Sequence, residues 1–197
     1  QVETAWTDAL STSQGDRPLV QLTTREGMVF EHRQRVVRAS AHQVYRVFST
    51  LGGTRGWLYM NWAWQARGLL DRLVGGVGMR RGRRDAHDVR TGDAVDFWRV
   101  ETVEPDHLLR LRAEMKVPGR AWLEFEVVPD GDARSVLSQT ALFAPKGLFG
   151  WLYWYSLYPV HGLIFSNMIR AVADRAERRA GRSDPECATA AVDRPGA

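Results

Sequence analysis

The residues with the types and spacing for chemistry are few in this 197-residue chain, which has five histidines and one cysteine. The most reactive-looking pair is Glu114 and Glu124. If residues 108–128 form a hairpin that turns through Pro118-Gly119-Arg120, these two carboxylates face each other, and facing carboxylates repel and raise one pKa. The same register sets them on a polar face with Arg112, Lys116 and Arg120 to neutralise them. The alternating signs of Glu101, Arg110, Arg112 and Glu126 then read as a solvated ladder rather than a reactive centre. His161 lies one turn before Phe165 on the apolar face of a C-terminal helix. There it is either a polar anchor or proton shuttle facing an apolar space, or a hydrogen-bonded core residue, the commoner fate of a lone histidine. No cysteine, second histidine or carboxylate stands at ligand spacing from it, so no metal site is expected. Asp85-Ala-His-Asp88 is too short a signal to make one, and no Ser-His-Asp or Cys-His arrangement stands out.

The basic run Arg80, Arg81, Arg83 and Arg84 could hold a phosphate, a nucleic acid or an acidic partner. Asp85 and Asp88 follow at once and blunt a nucleic-acid reading, which calls for a clustered basic face. A solvated loop, with no nucleic-acid partner, is the expectation. Gly75-Gly-Val-Gly78 is a poor dinucleotide signal because it follows a helical pattern rather than a strand, so no cofactor is assigned to this chain. The net charge of +4 is small, and only Lys116 and Lys146 among the 27 basic residues are lysine. The single cysteine, Cys187, excludes an internal disulfide, and a cytoplasmic setting is expected. The N-terminus shows no signal-peptide pattern. Residues 147–169 carry no formal charge and are long enough to cross a membrane. The polar Ser156, His161, Ser166 and Asn167, with Pro159 and Gly162, make burial in a protein core the better account.

The elements that would carry these groups follow from periodicity. Residues 1–26 read as an N-terminal extension, 27–180 as one domain and 181–197 as a disordered tail. Residues 28–39 suggest a first strand of imperfect alternation. Ser40-Ala-His-Gln43 matches a capping box, and Val44, Val47, Phe48 and Leu51 form one face of the helix that follows. A second helix over 60–74 has Trp62, Ala66, Leu69, Leu70 and Leu73 on one face before Gly75-Gly76. From about Asp93 to Phe143 the period falls to two, giving four sequential antiparallel strands. In the hairpin register above, Arg112 faces Glu126, Lys116 faces Trp122, and Leu111, Ala113 and Met115 face Val127, Phe125 and Leu123. Carried into the preceding strand, that register puts Glu101 opposite Arg110, with Trp98 and Val100 on the apolar side. Pro159 suits the first turn of a final helix reaching about Arg179, with 148–158 as a shorter helix or wrapped segment before it.

This α+β order, a strand, two short helices, a run of antiparallel strands and a long C-terminal helix, resembles the START-like (helix-grip) superfamily. In that fold a curved antiparallel sheet wraps around the last helix and leaves a cavity between them. More specifically, Gly56-Trp-Leu-Tyr-Met-Asn-Trp-Ala-Trp64, Leu69-Leu-Asp-Arg-Leu-Val-Gly-Gly-Val-Gly78, Gly92-Asp-Ala-Val-Asp-Phe-Trp-Arg-Val-Glu101, Pro118-Gly-Arg-Ala-Trp-Leu-Glu-Phe-Glu126 and Leu152-Tyr-Trp-Tyr-Ser-Leu-Tyr-Pro-Val-His161 are similar to an uncharacterised bacterial family. That family is often fused behind a short-chain-dehydrogenase-like, NAD(P)-binding Rossmann domain. The resemblance implies that such a domain precedes Gln1 or docks on this chain, and it brings no catalytic residues with it.

The expected function is binding of a small apolar or aromatic molecule, with membrane binding not expected. The expected ligand-binding residues are Trp57, Trp62, Trp98, Met115, Phe125, Tyr155, Tyr158, His161 and Phe165, since pockets are walled by apolar and aromatic groups with a few polar ones. Each aromatic has a place in the core as its alternative role. A cyclase- or dehydratase-like enzyme using the same cavity, and an accessory domain docked on a Rossmann oxidoreductase through exposed aromatics near Trp151 and Trp154, remain alternatives.

Overall fold

The computed structural model describes residues 19–25, 27–78, 83–85 and 88–183. Seven strands form one antiparallel sheet: β1 (Leu19–Arg25), β2 (Met28–Val37), β3 (Ala94–Val95), β4 (Trp98–Glu104), β5 (Leu108–Ala113), β6 (Gly119–Pro129) and β7 (Ser135–Pro145), in the order β1-β2-β7-β6-β5-β4-β3. Between β2 and β3 come helix α1 (Ala41–Phe48), a 3-10 turn (Gly53–Arg55) and helix α2 (Asn61–Leu73). Helix α3 (Gly147–Ser183) closes the described chain. The sheet packs against α1 and α3, the arrangement the element order foretold. The stretch read as an extension contributes β1, which pairs with β2 along its whole length. Residues 1–18 and 184–197, the latter with Cys187, lie outside the described residues, and the final helix runs past residue 180.

Helix α1 begins as its sequence dictates. Ser40 Oγ accepts the Gln43 amide and the Gln43 side chain accepts the Ser40 amide, the reciprocal capping box. Its Val44, Tyr45, Val47 and Phe48 are buried, and Phe48 stacks on Phe125 of β6 at 5.6 Å between ring centroids. Burial of large apolar side chains in this way is worth about 1.5–3 kcal/mol each.

Three expectations are corrected. In the β5–β6 hairpin, Glu124 faces Arg110 rather than Glu114, Glu126 faces Leu108 and Trp122 faces Arg112. The displacement is even, so the apolar face keeps Leu109, Leu111, Leu123 and Phe125, and alternation alone cannot detect it. The connection is a five-residue loop, 114–118, whose shape is set by Asp71. The buried Asp71 carboxylate accepts the amides of Lys116 (2.6 Å) and Gly78 (2.9 Å). In the β4–β5 pair, Trp98 and Val100 are buried as expected. Glu101, however, is the extra residue of a bulge, and Thr102 faces Arg110.

The second correction is to α2. The stripe Trp62, Leu69, Leu70 and Leu73 is exposed, Trp62 by 67% and Leu73 by 75%, while Trp64, Gly68 and Asp71 form the buried side. The helix is rotated because Asp71 must reach its backbone donors, and that turns the apolar stripe outward.

The third is to the last helix. Pro159 does not open it but lies inside a continuous 37-residue helix. Upstream, Trp154 is buried on Phe143 (5.4 Å, stacked), and this packing carries the helix through the proline. Pro159 and Tyr155 are both exposed, so the carbonyl that the proline leaves without a donor lies on the wet side. If the helix is continuous, Pro159→Ala should raise the unfolding free energy by about 2 kcal/mol, the helix-interior penalty less the unfolded-state rigidity that is lost. Urea denaturation at unchanged m value checks this, and a loss of stability would mean that the proline starts the helix.

Candidate functional site

The buried apolar residues fall into two separate clusters. The larger joins α1, the aromatic group Trp57, Trp64, Phe97 and Trp98, the inner face of β4–β7 and the C-terminal half of α3. The smaller is Val29, Phe143 and Trp154, with Val117, Ala121, Trp151, Tyr153 and Tyr158 against it. The space between them is a cavity of about 300 Å³. Its walls come from Met60 and α2 (Trp62 to Leu70), from Trp98, Met115 and Val117, from β6 and β7 at Ala121, Trp122 and Ala141–Phe143, and from α3 at Tyr153, Trp154, Leu157, Val160, His161, Ile164 and Phe165. Trp62, Ala66, Leu70 and Val160 are both wall and exposed surface, which puts the mouth between α2 and the first half of α3.

Of the nine residues expected to bind a ligand, Trp62, Trp98, Met115, His161 and Phe165 line this cavity. Trp57 does not. It is fully buried, stacks on Trp64 at 5.1 Å and donates its indole N–H to Asp96 Oδ2 at 2.9 Å. Phe125 is core, under Phe48. Tyr155 is exposed and stacks on Trp151, and Tyr158 packs on the smaller cluster outside the wall. Sequence reasoning missed Trp64, Arg67, Phe143 and Trp154. For Trp64 and Arg67 the apolar stripe of α2 pointed to the wrong face. For Trp154 the signal was present in the charge-free run, but Pro159 hid the continuity of the helix.

Glu114 and Glu124 do not meet. Arg99 grips Glu114 through two hydrogen bonds of 3.1 Å, and Arg110 holds Glu124 at 2.6 Å. Arg83 donates to the carbonyls of Ser49, Leu51 and Asp85, closing the end of α1, and Arg84 forms a two-pronged pair with Asp93. Arg80 and Arg81 lie outside the described residues. Among the described residues no group of three His, Cys, Asp or Glu side chains gathers as metal ligands, and no helix is long and apolar enough to cross a membrane.

The polar groups of the wall are unusual in kind. Arg67 and Tyr153 touch at 3.5 Å, and Arg67 also donates to the Lys116 carbonyl at 3.2 Å. The indole nitrogens of Trp64, Trp98 and Trp154 and the Nδ1 of His161 are buried with no hydrogen-bond partner among the described residues. The ring of His161 sits between Trp154 (5.5 Å) and Phe165 (5.4 Å). Burial, reinforced by the Arg67 and Arg33 cations, pushes its pKa down to about 4, so the imidazole is neutral at physiological pH.

An antiparallel sheet closed over a long C-terminal helix, with a cavity between them, defines a helix-grip protein. The chain belongs to the family described as Protein of unknown function (DUF2867), whose sequence profile matches residues 25–168. No curated protein matches it. Among solved structures it is similar to norcoclaurine synthase from Thalictrum flavum (16% identity, TM-score 0.49, 82% of this chain and 99% of that one). It is also similar to an aromatase/cyclase from a Streptomyces species (16%, 0.48, 77% and 95%) and to a conserved protein of unknown function from Enterococcus faecalis (10%, 0.44, 80% and 77%). Likenesses at these scores say nothing about what this chain binds.

The state of His161 is measurable. Its folded pKa lies below the ordinary 6.5, so the unfolded chain binds the proton more readily. The stability this confers is present in full above 6.5 and is lost as pH falls from there towards 4. As pH falls through that window, His161→Leu should therefore lose less stability than the native protein, so that the difference between the two proteins changes with pH there and is constant above it. The His161 ring resonances of the native protein should keep their neutral positions down to about 4. Titration near 6.5 instead would place the ring in water.

Proposed function

We propose that this chain is a small-molecule binding domain whose ligand, an apolar or aromatic molecule, occupies the cavity between the sheet, α2 and α3. The observation that carries the reading is the gap between the two apolar clusters. Protein interiors are packed with few voids larger than a water molecule, and ligand sites commonly begin at roughly 300 Å³. A cavity of about 300 Å³ walled by tryptophan, methionine and phenylalanine is therefore better accounted for by an occupant than by imperfect packing. The domain reads as cytoplasmic from its single cysteine, with no cofactor of its own.

Two other readings each draw on one observation. His161, neutral and with Nδ1 unpartnered, is the group a cyclase- or dehydratase-like reaction would use as a proton acceptor. Leu148, Phe149, Leu152 and Tyr155 expose one apolar face at the start of α3, and this face, rather than Trp151 or the buried Trp154, would seat a fused or docked NAD(P)-binding Rossmann domain.

The neutral fluorophore N-phenyl-1-naphthylamine tests the leading reading. It should bind the native protein with one site and a large rise in emission. Ala141→Phe, which puts a ring into the cavity from β7, should weaken it by about tenfold or more, equal to at least ~1.4 kcal/mol, with the circular dichroism spectrum unchanged. Binding that ignores the substitution would locate the probe elsewhere and remove the cavity as the site.

A further inference from the structure

Resting on the cavity reading, we propose that the ligand is an amphipathic anion: an apolar body inside the cavity and an anionic oxygen group, such as a carboxylate or sulfonate, on Arg67 at the mouth. The argument is an inventory of the wall. Among the described residues it includes one arginine, one tyrosine, one histidine and five tryptophans, but no aspartate, glutamate, asparagine, glutamine, serine or threonine. Indole and guanidinium groups only donate hydrogen bonds. The wall thus supplies donors and a positive charge, and almost nothing that a donor on the ligand could use.

Among the described residues, Arg67 is the one charged residue of that wall. Its guanidinium spends two contacts on the Lys116 carbonyl and the Tyr153 hydroxyl, and among the described residues no carboxylate pairs with it. The acid nearest in sequence, Asp71, lies one turn along α2 and is committed to the backbone amides of Gly78 and Lys116. Glu114, beside the same loop, is held by Arg99. Arg33, the buried cation near His161, is already neutralised by Glu31. Partly buried guanidinium is normally matched with a carboxylate or phosphate, because its forked donors suit two acceptor oxygens. Here the matching oxygens are left for the ligand to bring. Its apolar end would then lie against Trp98, Met115, His161 and Phe165.

The test uses two probes that share a ring system and differ in one charged group, 8-anilinonaphthalene-1-sulfonate and N-phenyl-1-naphthylamine, titrated into the native protein and its Arg67→Gln, Arg67→Lys and Ala141→Phe variants. The expected result is that Arg67→Gln loses about tenfold or more in affinity for the sulfonate and keeps its affinity for the neutral amine, while Arg67→Lys recovers part of the loss. Ala141→Phe should lose both probes. If Arg67→Gln leaves sulfonate binding intact, or weakens both probes equally, the anion site is wrong and the cavity reading stands. If the neutral amine fails to bind the native protein, or binds Ala141→Phe as well, the cavity reading fails and takes this inference with it.

Discussion

The inner face of β2 carries Val29, Glu31, Arg33, Arg35 and Val37 in succession, and this charged row in the middle of a core strand shapes the rest of the molecule. Glu31 and Arg33 are buried and paired with each other, and Arg33 reaches α3 through Ser166 Oγ at 3.2 Å and the Gly162 carbonyl at 3.5 Å. Removing water from two charges is recovered only where geometry and further hydrogen bonds compensate. The remaining Glu31 oxygen, Arg33 Nη1 and the amide of Gln139 across the strand pair have no partner among the described residues. Apolar packing cannot run continuously across such a row. The core therefore divides, with Val29 on one side and Val37 on the other.

The division governs how α3 lies. Beyond Ser166 its Met168, Ile169, Val172, Ala173 and Ala176 are fully buried, and small side chains bring the helix down onto α1 and the sheet. Before Gly162 it is held by the Trp154–Phe143 stack instead, farther along β7, and the cavity occupies the interval. Arg33 marks the changeover. Burial keeps His161 neutral, and the same cation reinforces it together with Arg67, so Arg33 bears on both the electrostatics of the cavity and the placement of its roof.

Much of this was legible in the sequence and some was not, for physical reasons. Local signals were read correctly: the Ser40–Gln43 cap, the limits of α2 within a residue, and the faces of the β5–β6 hairpin. Each depends on near neighbours. The exact pairing of that hairpin depended on Asp71, far away in sequence, because an even slip leaves the alternation unchanged. The rotation of α2 had the same hidden cause. Helical periodicity located an apolar stripe, but a buried carboxylate committed to two backbone amides outweighed it and turned the stripe to solvent. Glu31 and Arg33 made the alternation of β2 look imperfect, and the imperfection was itself the trace of the divided core. For the site, aromatic residue type picked out Trp98 and Phe165, which line the cavity, and was equally content with Trp57 and Phe125, which do not, since nothing in a ring distinguishes the wall of a cavity from the inside of a core.

A crystal structure of the native protein with N-phenyl-1-naphthylamine is the most direct test of the central claim, because the exposed apolar faces of α2 and α3 compete with the cavity for such a molecule. The account predicts density for the naphthyl ring enclosed by Trp98, Met115, His161 and Phe165, with the Arg33–Glu31 pair in place above it. Probe bound only on Trp62, Leu69 and Leu73 or on Phe149 and Leu152, with the cavity filled by its own side chains, would contradict it.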